Sequence, residues 1–352
     1  MSDLMHYLND AVERAASDIL IVAGGPVCLK LDGHIRPADE TRLMPPQTEE
    51  LIRQIYAAAN RPMDKYLSTW DDDFSLSVPG LARFRVNAYR QRGSMAAVIR
   101  VVSFDIPDWR ELRIPEQVME LANVDHGMVL VTGTAGSGKS TTQACIIDRI
   151  NRTLDRHIIT LEDPIEYLHR NNKSIVSQRE IAIDTADYLS ALRACLRQAP
   201  DVILLGEMRD AETIQTAMTA AETGHTLIAT LHTMGAVNTI DRIVDAFPST
   251  QQAQIRVQLA EVLRTVVSQQ LLPDVHGGMV PAYEIMHMNS AIRSLIRDNK
   301  GHQIDNAIAA GAKEGMVTMD QSILMLCRQG SITAETALAY AVNPDQMRRS
   351  LQ

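Results

Sequence analysis

The sequence predicts an α/β protein whose larger part is built on a parallel β-sheet. Between residues 126 and 231, fully apolar runs alternate with helix-like segments, a pattern typical of parallel strands covered on both faces by helices. The first 100 residues instead mix short helices and strands interrupted by glycine and proline, which indicates a smaller α+β domain. The expected domains are an N-terminal domain over 1–100, a linker over 101–115, a sheet domain over 116–280 and a helical C-terminal region over 281–352.

Helical spacing of apolar residues predicts an N-terminal helix over 1–16, and strands are predicted after it at 19–22, 27–31 and 84–90. In the sheet domain, the apolar runs that predict strands are 128–131, 157–161, 202–205 and 226–231. The segments that predict helices between them are 141–151, 185–198 and 210–222. Ligands of open α/β sheets bind at the carboxyl ends of the strands, so the residues after these runs are the first candidates for function.

Composition excludes several classes of protein. No apolar stretch approaches the roughly 18 residues of a membrane span, and the first residues do not resemble a signal peptide, so we expect a cytoplasmic protein. A net charge of −9 without any lysine and arginine tract argues against nucleic acid as the main ligand. The four cysteines have no paired spacing, which argues against a disulfide framework or a zinc site (Cys28, Cys145, Cys195, Cys327).

The most informative segment is a phosphate loop of the pattern G-x-x-x-x-G-K-[ST], placed between an apolar run and a helix-like stretch. Glycines allow successive backbone N–H groups to point at phosphate oxygens, and the following helix presents its positive end to the same anion. The lysine supplies a charge to the β- and γ-phosphates, and the serine hydroxyl can bind Mg²⁺. The residues predicted to bind a nucleoside triphosphate are Gly133, Thr134, Ala135, Gly136, Ser137, Gly138, Lys139, Ser140 and Thr141.

Two further strands end in carboxylates. The run 158–161 is followed by Glu162 and Asp163, which we expect beside the phosphate loop, where they would contribute to a metal site with Ser140. A solvated acidic turn is the alternative. The run 202–205 is followed by Gly206 and Glu207 and resembles a Walker B element, although glycine stands where the metal-binding aspartate is usual. The metal is then held through water or partly by the first carboxylate pair, and Glu207 is free to activate the attacking water.

Two histidines flank the last apolar run of the sheet domain, His225 before it and His232 after it. A single histidine is usually structural, but a pair around one buried strand favours contact with nucleotide. We predict that His232 senses the γ-phosphate, and the argument is weaker for His225.

Taken together, these four motifs resemble the secretion ATPase superfamily in order and spacing, where they are named Walker A, Asp box, Walker B and His box. The resemblance covers essentially the whole chain. Within the superfamily it favours the type IV pilus retraction ATPases, because no paired C-x-x-C motif is present and residues 291–298 resemble Ala-Ile-Arg-Asn-Leu-Ile-Arg-Glu. Ser294 and Asp298 depart from that motif conservatively.

The resemblance implies a PAS-like N-terminal domain, a RecA-like P-loop ATPase core and a ring of six identical subunits. It implies Mg²⁺-dependent ATP hydrolysis that powers pilus retraction at the cytoplasmic face of the inner membrane, with a membrane platform protein and other pilus components as partners. It also gives a role to the arginine-rich segment 83–100, whose Arg85 and Arg100 match the family arginines that reach the γ-phosphate, some of them from a neighbouring subunit. A solvated basic edge is the alternative.

Some assignments stay open at this point. Glu207 is the first choice for the water-activating base, and Glu162 is the second. Three other functions remain: a related secretion or pilus-extension ATPase, a RecA-like nucleic-acid translocase, and a nucleotide-gated regulatory protein with negligible turnover.

Overall fold

The structure is a computed structural model that describes residues 3–31, 33–102 and 106–352. It divides into two compact units, one of Met1–Asp105 with Glu166–Leu168 and one of Ile106–Ile165 with His169–Gln352. The predicted linker over 101–115 includes residues 103–105, and the predicted first helix includes residues 1 and 2; these five residues lie outside the described part of the chain.

The first unit is an antiparallel sheet with helices packed on one face. Its strands are β1 Asp18–Ile21, β2 Cys28–Leu31, β3 His34–Pro37, β4 Asp71–Val78, β5 Ala82–Gln91 and β6 Ser94–Val102, and its helices are α1 Leu4–Glu13, α2 Pro45–Ala58 and α3 Asp64–Thr69. The described strands lie in the order β3-β2-β1-β6-β5-β4. Alternation along β5 buries Phe84, Val86 and Ala88 in the core, while Arg85 on the opposite face is exposed.

The second unit is a mixed sheet in the order β13-β12-β7-β11-β10-β8-β9 within the described residues. Its strands are β7 Gly127–Thr132, β8 His157–Glu162, β9 Ile175–Glu180, β10 Val202–Leu205, β11 Thr226–Leu231, β12 Leu263–Pro273 and β13 Met279–His287. The helices of its sheet region are α4 Glu116–Met119, α5 Lys139–Thr153, α6 Tyr188–Cys195, α7 Ala211–Glu222, α8 Ala236–Asp245 and α9 Ser249–Val262. All neighbouring strands are parallel except β12 and β13, which are antiparallel.

The continuous apolar runs are explained by two hydrophobic cores, one on each face of this sheet. On β7, Met128 and Leu130 pack into one core while Val129 and Val131 pack into the other. Because successive side chains of a strand point to opposite faces, a strand covered on both sides must be apolar at every position. The predicted α/β class is confirmed by this arrangement.

The C-terminal region is helical only after β13. Strand β13 spans the expected boundary at residue 281, pairs with β12 and forms one edge of the sheet. The helices that follow are α10 Ser290–Arg297, α11 Ile304–Ala310, α12 Met319–Arg328, α13 Ala334–Tyr340 and α14 Pro344–Leu351. Several side chains of these helices are buried against Leu272 of β12 and Val280 of β13, and they include Met319, Ile323 and Met347. Among the described helices, none combines the length and the apolarity needed to cross a membrane.

Candidate nucleotide site

The phosphate loop connects the end of β7 to the first turn of α5, as the sequence predicts. Gly133, Gly136 and Gly138 have φ angles of 141°, 77° and 86°, which a residue with a side chain rarely adopts. At Gly133, a β-carbon would also lie 2.3 Å from the carbonyl oxygen of Gln269. The tight curl of the loop therefore depends on glycine for both conformation and space.

Lys139 lies inside this curl with only 8% of its surface exposed. Its ammonium donates to the carbonyl oxygens of Gly133 and Thr134 at 2.9 and 2.8 Å. A buried charge needs such partners, and here they hold the ammonium inside the loop. Ser140 and Thr141 occupy the first turn of α5, whose N-terminal end favours an anion.

The loop residues fit a phosphate group. The hydroxyl oxygen of Ser137 is buried in the loop and has no hydrogen-bond partner among the described residues. A buried hydroxyl without a partner is costly, and a phosphate oxygen in the loop would satisfy it. Beside the loop lies a cavity of about 370 Å³, lined by Gly138, Thr141 and Gln269 among others, which is large enough for part of a nucleoside.

Gln269 on β12 is a part of the site that the sequence analysis missed. Its side-chain oxygen accepts a hydrogen bond of 2.7 Å from the hydroxyl of Thr142 on α5. A β-carbon at Gly138 would lie 2.8 Å from its amide nitrogen, so the side chain forms the floor of the loop. The signal in the sequence was the polar run 268–270 between the apolar pairs 266–267 and 271–272, since buried polar residues need a partner.

The predicted acidic and histidine residues meet at one edge of the sheet. Glu162, Glu207 and His232 lie at or just beyond the carboxyl ends of β8, β10 and β11, which are neighbours in the sheet. One carboxylate oxygen of Glu207 lies 3.3 Å from Nε2 of His232, and the other accepts a 2.7 Å bond from Nε of Arg209. Arg209 is a second contact that the sequence analysis did not assign.

Glu162 and Asp163 differ in their surroundings. Oε1 of Glu162 accepts hydrogen bonds from the hydroxyl of Thr160 at 2.5 Å and from the amide of Gln178 at 3.2 Å. Asp163 is exposed at the sheet edge. No group of three or more His, Cys, Asp or Glu side chains is placed to hold a metal ion in the described ranges.

Gly206, which stands in place of the usual Walker B aspartate, lies in crowded surroundings. A β-carbon at this position would lie 2.8 Å from the hydroxyl of Tyr188 and 3.0 Å from the carbonyl oxygen of Leu161. Burial raises the pKa of the Tyr188 phenol, and the nearby carboxylates of Asp163 and Glu207 raise it further. A neutral phenol therefore lies where the side chain of the usual Walker B aspartate would begin.

His225 is the one member of the predicted set in this unit that lies elsewhere. It precedes β11, so it lies at the amino edge of the sheet, a strand length of about 20 Å from the edge that carries His232. Its Nδ1 is within hydrogen-bond distance of the carbonyl oxygen of Ala220, at 3.0 Å, and of the Thr223 hydroxyl, at 3.2 Å. The structure therefore does not bring His225 together with the phosphate loop of the same chain.

Arg85 and Arg100 lie in the first unit, directly opposite each other on β5 and β6. Both side chains are exposed, and Nε of Arg100 forms a 3.0 Å ion pair with Asp18 on β1. Like charges opposite each other on one face of a sheet repel, and the ion pair with Asp18 offsets only part of that repulsion because Arg100 is exposed.

Comparisons with known proteins agree with this fold. The chain is 43% identical over 344 residues to the type IV pilus retraction ATPase PilT of Pseudomonas aeruginosa. The aligned residues cover 97% of this chain and 99% of that protein. It is 38% identical to the type IV pilus ATPase PilU of the same species, over 96% of this chain and 88% of PilU.

The solved structures agree as well. The crystal structure of the pilus retraction motor PilT with bound ADP matches with a TM-score of 0.91 and 44% identity, over 99% of this chain and 100% of that chain. The ATPase DotB of Legionella pneumophila matches with a TM-score of 0.79 and 28% identity, over 95% of this chain and 93% of DotB. The first match confirms the predicted RecA-like core with a smaller N-terminal domain and a helical tail. The family model described as Type II/IV secretion system protein matches residues 1–339, and the chain belongs to this family.

Proposed function

We propose that this protein is a Mg²⁺-dependent ATPase that works as a homohexameric motor of type IV pilus retraction. One observation carries the proposal: a complete phosphate loop with a buried Lys139 shares a sheet edge with the Glu207–His232 pair. The relatives named as pilus ATPases support the choice of process, since the similarity extends over nearly the whole chain.

In this mechanism the phosphate loop binds the triphosphate. Lys139 neutralises charge between the β- and γ-phosphates, the Ser137 hydroxyl donates to a phosphate oxygen, and Ser140 binds Mg²⁺. The bound metal ion would supply charge neutralisation at the phosphate that is transferred. Glu162 and Asp163 lie at and just after the end of β8, with β10 and β11 between that strand and β7, and they would help to hold that ion directly or through water.

Glu207 orients and deprotonates the attacking water, with Glu162 as the second candidate. The two carboxylate oxygens of Glu207 have different partners. Nε of Arg209 donates a hydrogen bond to one, and Nε2 of His232 contacts the other. The exposed imidazole of His232 can therefore contact a γ-phosphate on its solvent side and Glu207 on the other. Loss of the γ-phosphate after hydrolysis would change the position of this histidine.

Arg85 and Arg100 complete the site, from the same chain or from a neighbouring subunit. Guanidinium groups stay charged and grip phosphate oxygens in pairs, so two adjacent arginines suit a triphosphate. A motor of this type performs work by rotating its N-terminal domain about the 101–115 linker. The partners expected are five further copies of the chain, the pilus machinery and its platform protein at the cytoplasmic face of the inner membrane, without nucleic acid.

Related activities remain as alternatives. The family model described as Type II/IV secretion system protein favours a secretion motor as the second candidate, because it matches residues 1–339. A deletion strain separates the two functions, since loss of twitching with normal pilus assembly indicates retraction. A nucleic-acid translocase would show ATPase activity stimulated by DNA or RNA, and a regulatory protein would bind ATP with negligible turnover.

The decisive experiment is steady-state ATPase activity combined with light scattering after size exclusion. The wild-type chain should elute as a hexamer and hydrolyse ATP only with Mg²⁺. Lys139→Ala should lower turnover about 100-fold or more because the loop loses its cation. Lys313→Ala, which changes an exposed lysine, serves as the matched control. Turnover of Lys139→Ala within about threefold of wild type, with an unchanged far-UV circular dichroism spectrum, would overturn the assignment.

A further inference from the structure

A buried carboxylate joins the nucleotide edge of the sheet to the C-terminal helices. Glu284 lies on β13 with 6% of its surface exposed. Its Oε1 accepts a hydrogen bond of 2.7 Å from the backbone N–H of Ala236, the first residue of α8. Its Oε2 accepts one of 3.4 Å from the N–H of Met319, the first residue of α12. One side chain thus holds the start of two helices that are far apart in the sequence.

The first of these helices begins immediately after the loop that carries His232. Only three residues separate that histidine from α8, and the last of them, Gly235, donates its N–H to the hydroxyl of Ser268 at 2.8 Å. Two consecutive backbone amides are therefore held by side chains of β12 and β13. Since a loop this short has little freedom once its end is fixed, these bonds set where His232 can lie.

Ser268 and Glu284 are aligned across the strands with the residue that precedes the phosphate loop. Ser268 is directly opposite Glu284 across β12 and β13, and on its other side it is opposite Thr132 of β7. Thr132 is the residue before Gly133. Thr132, Ser268 and Glu284 thus form one row across β7, β12 and β13. This row connects the start of the phosphate loop to the His232 loop and to the first turn of α12.

A carboxylate at this position is costly for stability alone. Burial raises the pKa of the Glu284 carboxyl, and the hydrogen bond from Ala236 opposes that rise. The negative charges of Asp305 and Asp320 raise it again. Buried charged groups are frequently no more stabilising than apolar side chains of similar size, so packing does not explain why an acid is found here.

We propose that Glu284 is a positioning residue that holds the His232 loop against Glu207 and ties that loop to the first turn of α12. The inference rests on the proposed ATPase function, because the group it positions is assigned to γ-phosphate contact. It adds a route by which a load or partner acting on the C-terminal helices reaches the nucleotide edge.

Two substitutions and one control test the proposal in the full-length hexamer. Glu284→Ala removes both acceptors, whereas Glu284→Gln keeps one acceptor oxygen. Asp305→Asn is the control. It removes a negative charge that lines the same cavity of about 740 Å³, and Asp305 forms no hydrogen bond with either helix start in the described part of the chain.

We expect kcat to fall about tenfold or more for Glu284→Ala and about threefold for Glu284→Gln, because the catalytic groups would be misplaced. KM for ATP should stay within about twofold because the phosphate loop is unchanged.

Hydrogen–deuterium exchange gives a readout that does not depend on activity. In Glu284→Ala, the amides at 236–239 and at 319–322 should both exchange faster, while those of α5 should not change. Faster exchange at only one of the two helix starts would overturn the proposed tie between them.

The remaining outcomes separate this proposal from the proposed function. If Lys139→Ala abolishes turnover but both Glu284 variants retain wild-type kcat, the positioning role is wrong and the ATPase assignment stands. An equal loss of kcat in Asp305→Asn would mean that negative charge in the cavity affects turnover and that the two hydrogen bonds of Glu284 do not. This outcome also overturns the positioning role of Glu284. If wild-type turnover does not depend on Lys139, the ATPase assignment itself fails.

Discussion

Gly206 illustrates how a single residue decides the chemistry of the site. An aspartate there would be the common metal ligand of a Walker B strand, but its β-carbon would lie 2.8 Å from the Tyr188 hydroxyl and 3.0 Å from the Leu161 carbonyl oxygen, so that Tyr188 would have to shift. The carboxylates that remain are Glu207, the next residue of the same strand end, and Glu162 at the end of the neighbouring strand β8. Glu162 has two neutral hydrogen-bond donors, whereas Glu207 contacts an arginine and a histidine. These different surroundings suit one residue to orienting water near a metal ion and the other to proton transfer.

Substitution of each carboxylate by its amide distinguishes the two roles. Glu207→Gln keeps the shape of the side chain and loses the base, so it should bind ATP normally and hydrolyse it at least about 100-fold more slowly. Glu162→Gln should reduce turnover less and raise the Mg²⁺ concentration needed for half-maximal activity. Single-turnover hydrolysis and binding of a fluorescent ATP analogue measure both effects. Normal turnover in Glu207→Gln, together with inactive Glu162→Gln, would transfer the base assignment to Glu162.

Helix α10 lies at the opposite edge of the core sheet from the phosphate loop. His287, shortly before this helix, is opposite Thr265 near the start of β12, and the start of β12 is level with the start of β7. Ile292 and Ile296 are buried while Arg297 is exposed, so α10 is an amphipathic helix. The length of β7, about 20 Å, therefore separates this helix from the phosphate loop.

Charge reversal at Arg293 and Arg297 should separate ATP turnover from output. We expect the double glutamate variant to keep ATPase activity within about threefold of wild type and to stop pilus retraction in cells, because distant surface charges seldom affect chemistry. Twitching zones and purified ATPase activity are the two measurements. Reversal of the exposed pair Arg348 and Arg349 on α14 is the matched control. Loss of the hexamer in the α10 variant would indicate a packing role, to which the 3.7 Å ion pair between Arg297 and Glu261 would contribute.

At the scale of the whole molecule, the arginines and the phosphate loop belong to different compact units of the chain. Strand pairing holds the backbones of Arg85 and Arg100 opposite each other, so their side chains extend from neighbouring points on one face of the sheet. A ring in which one subunit supplies this pair to the nucleotide of the next would make hydrolysis depend on assembly. Arginines supplied in this way raise phosphoryl-transfer rates by roughly 10³–10⁵.

Mixed rings test whether catalysis is shared between subunits. Arg100→Ala and Lys139→Ala subunits should each be inactive alone, and rings assembled from both should recover part of the activity, because each supplies the group that the other lacks. The measurement is ATPase activity after co-expression with two different affinity tags and sequential purification. Activity no higher than that of the single variants, in rings shown to contain both, would mean that the arginines act within their own chain or not on phosphate.

The sequence by itself determined those features whose chemistry is local. A phosphate loop needs glycine, lysine and serine at fixed spacing, and a strand buried on both faces needs an unbroken apolar run, so Gly133 to Ser140 and the four core strands could be found without a structure. Glu162, Glu207 and His232 followed from the rule that sites gather at the carboxyl ends of parallel strands.

Tertiary structure alone decided which distant residues complete that edge. Tyr188 meets Gly206, and Gln269 lies under the loop, because helices and strands far apart in the chain pack together there. The same packing left His225 at the opposite edge, where its hydrogen bonds with Ala220 and Thr223 give it a structural partner. Glu284 could not be identified from the sequence, since nothing local marks which helix starts a buried carboxylate will hold. Such contacts depend on strand order and register, which local patterns do not specify.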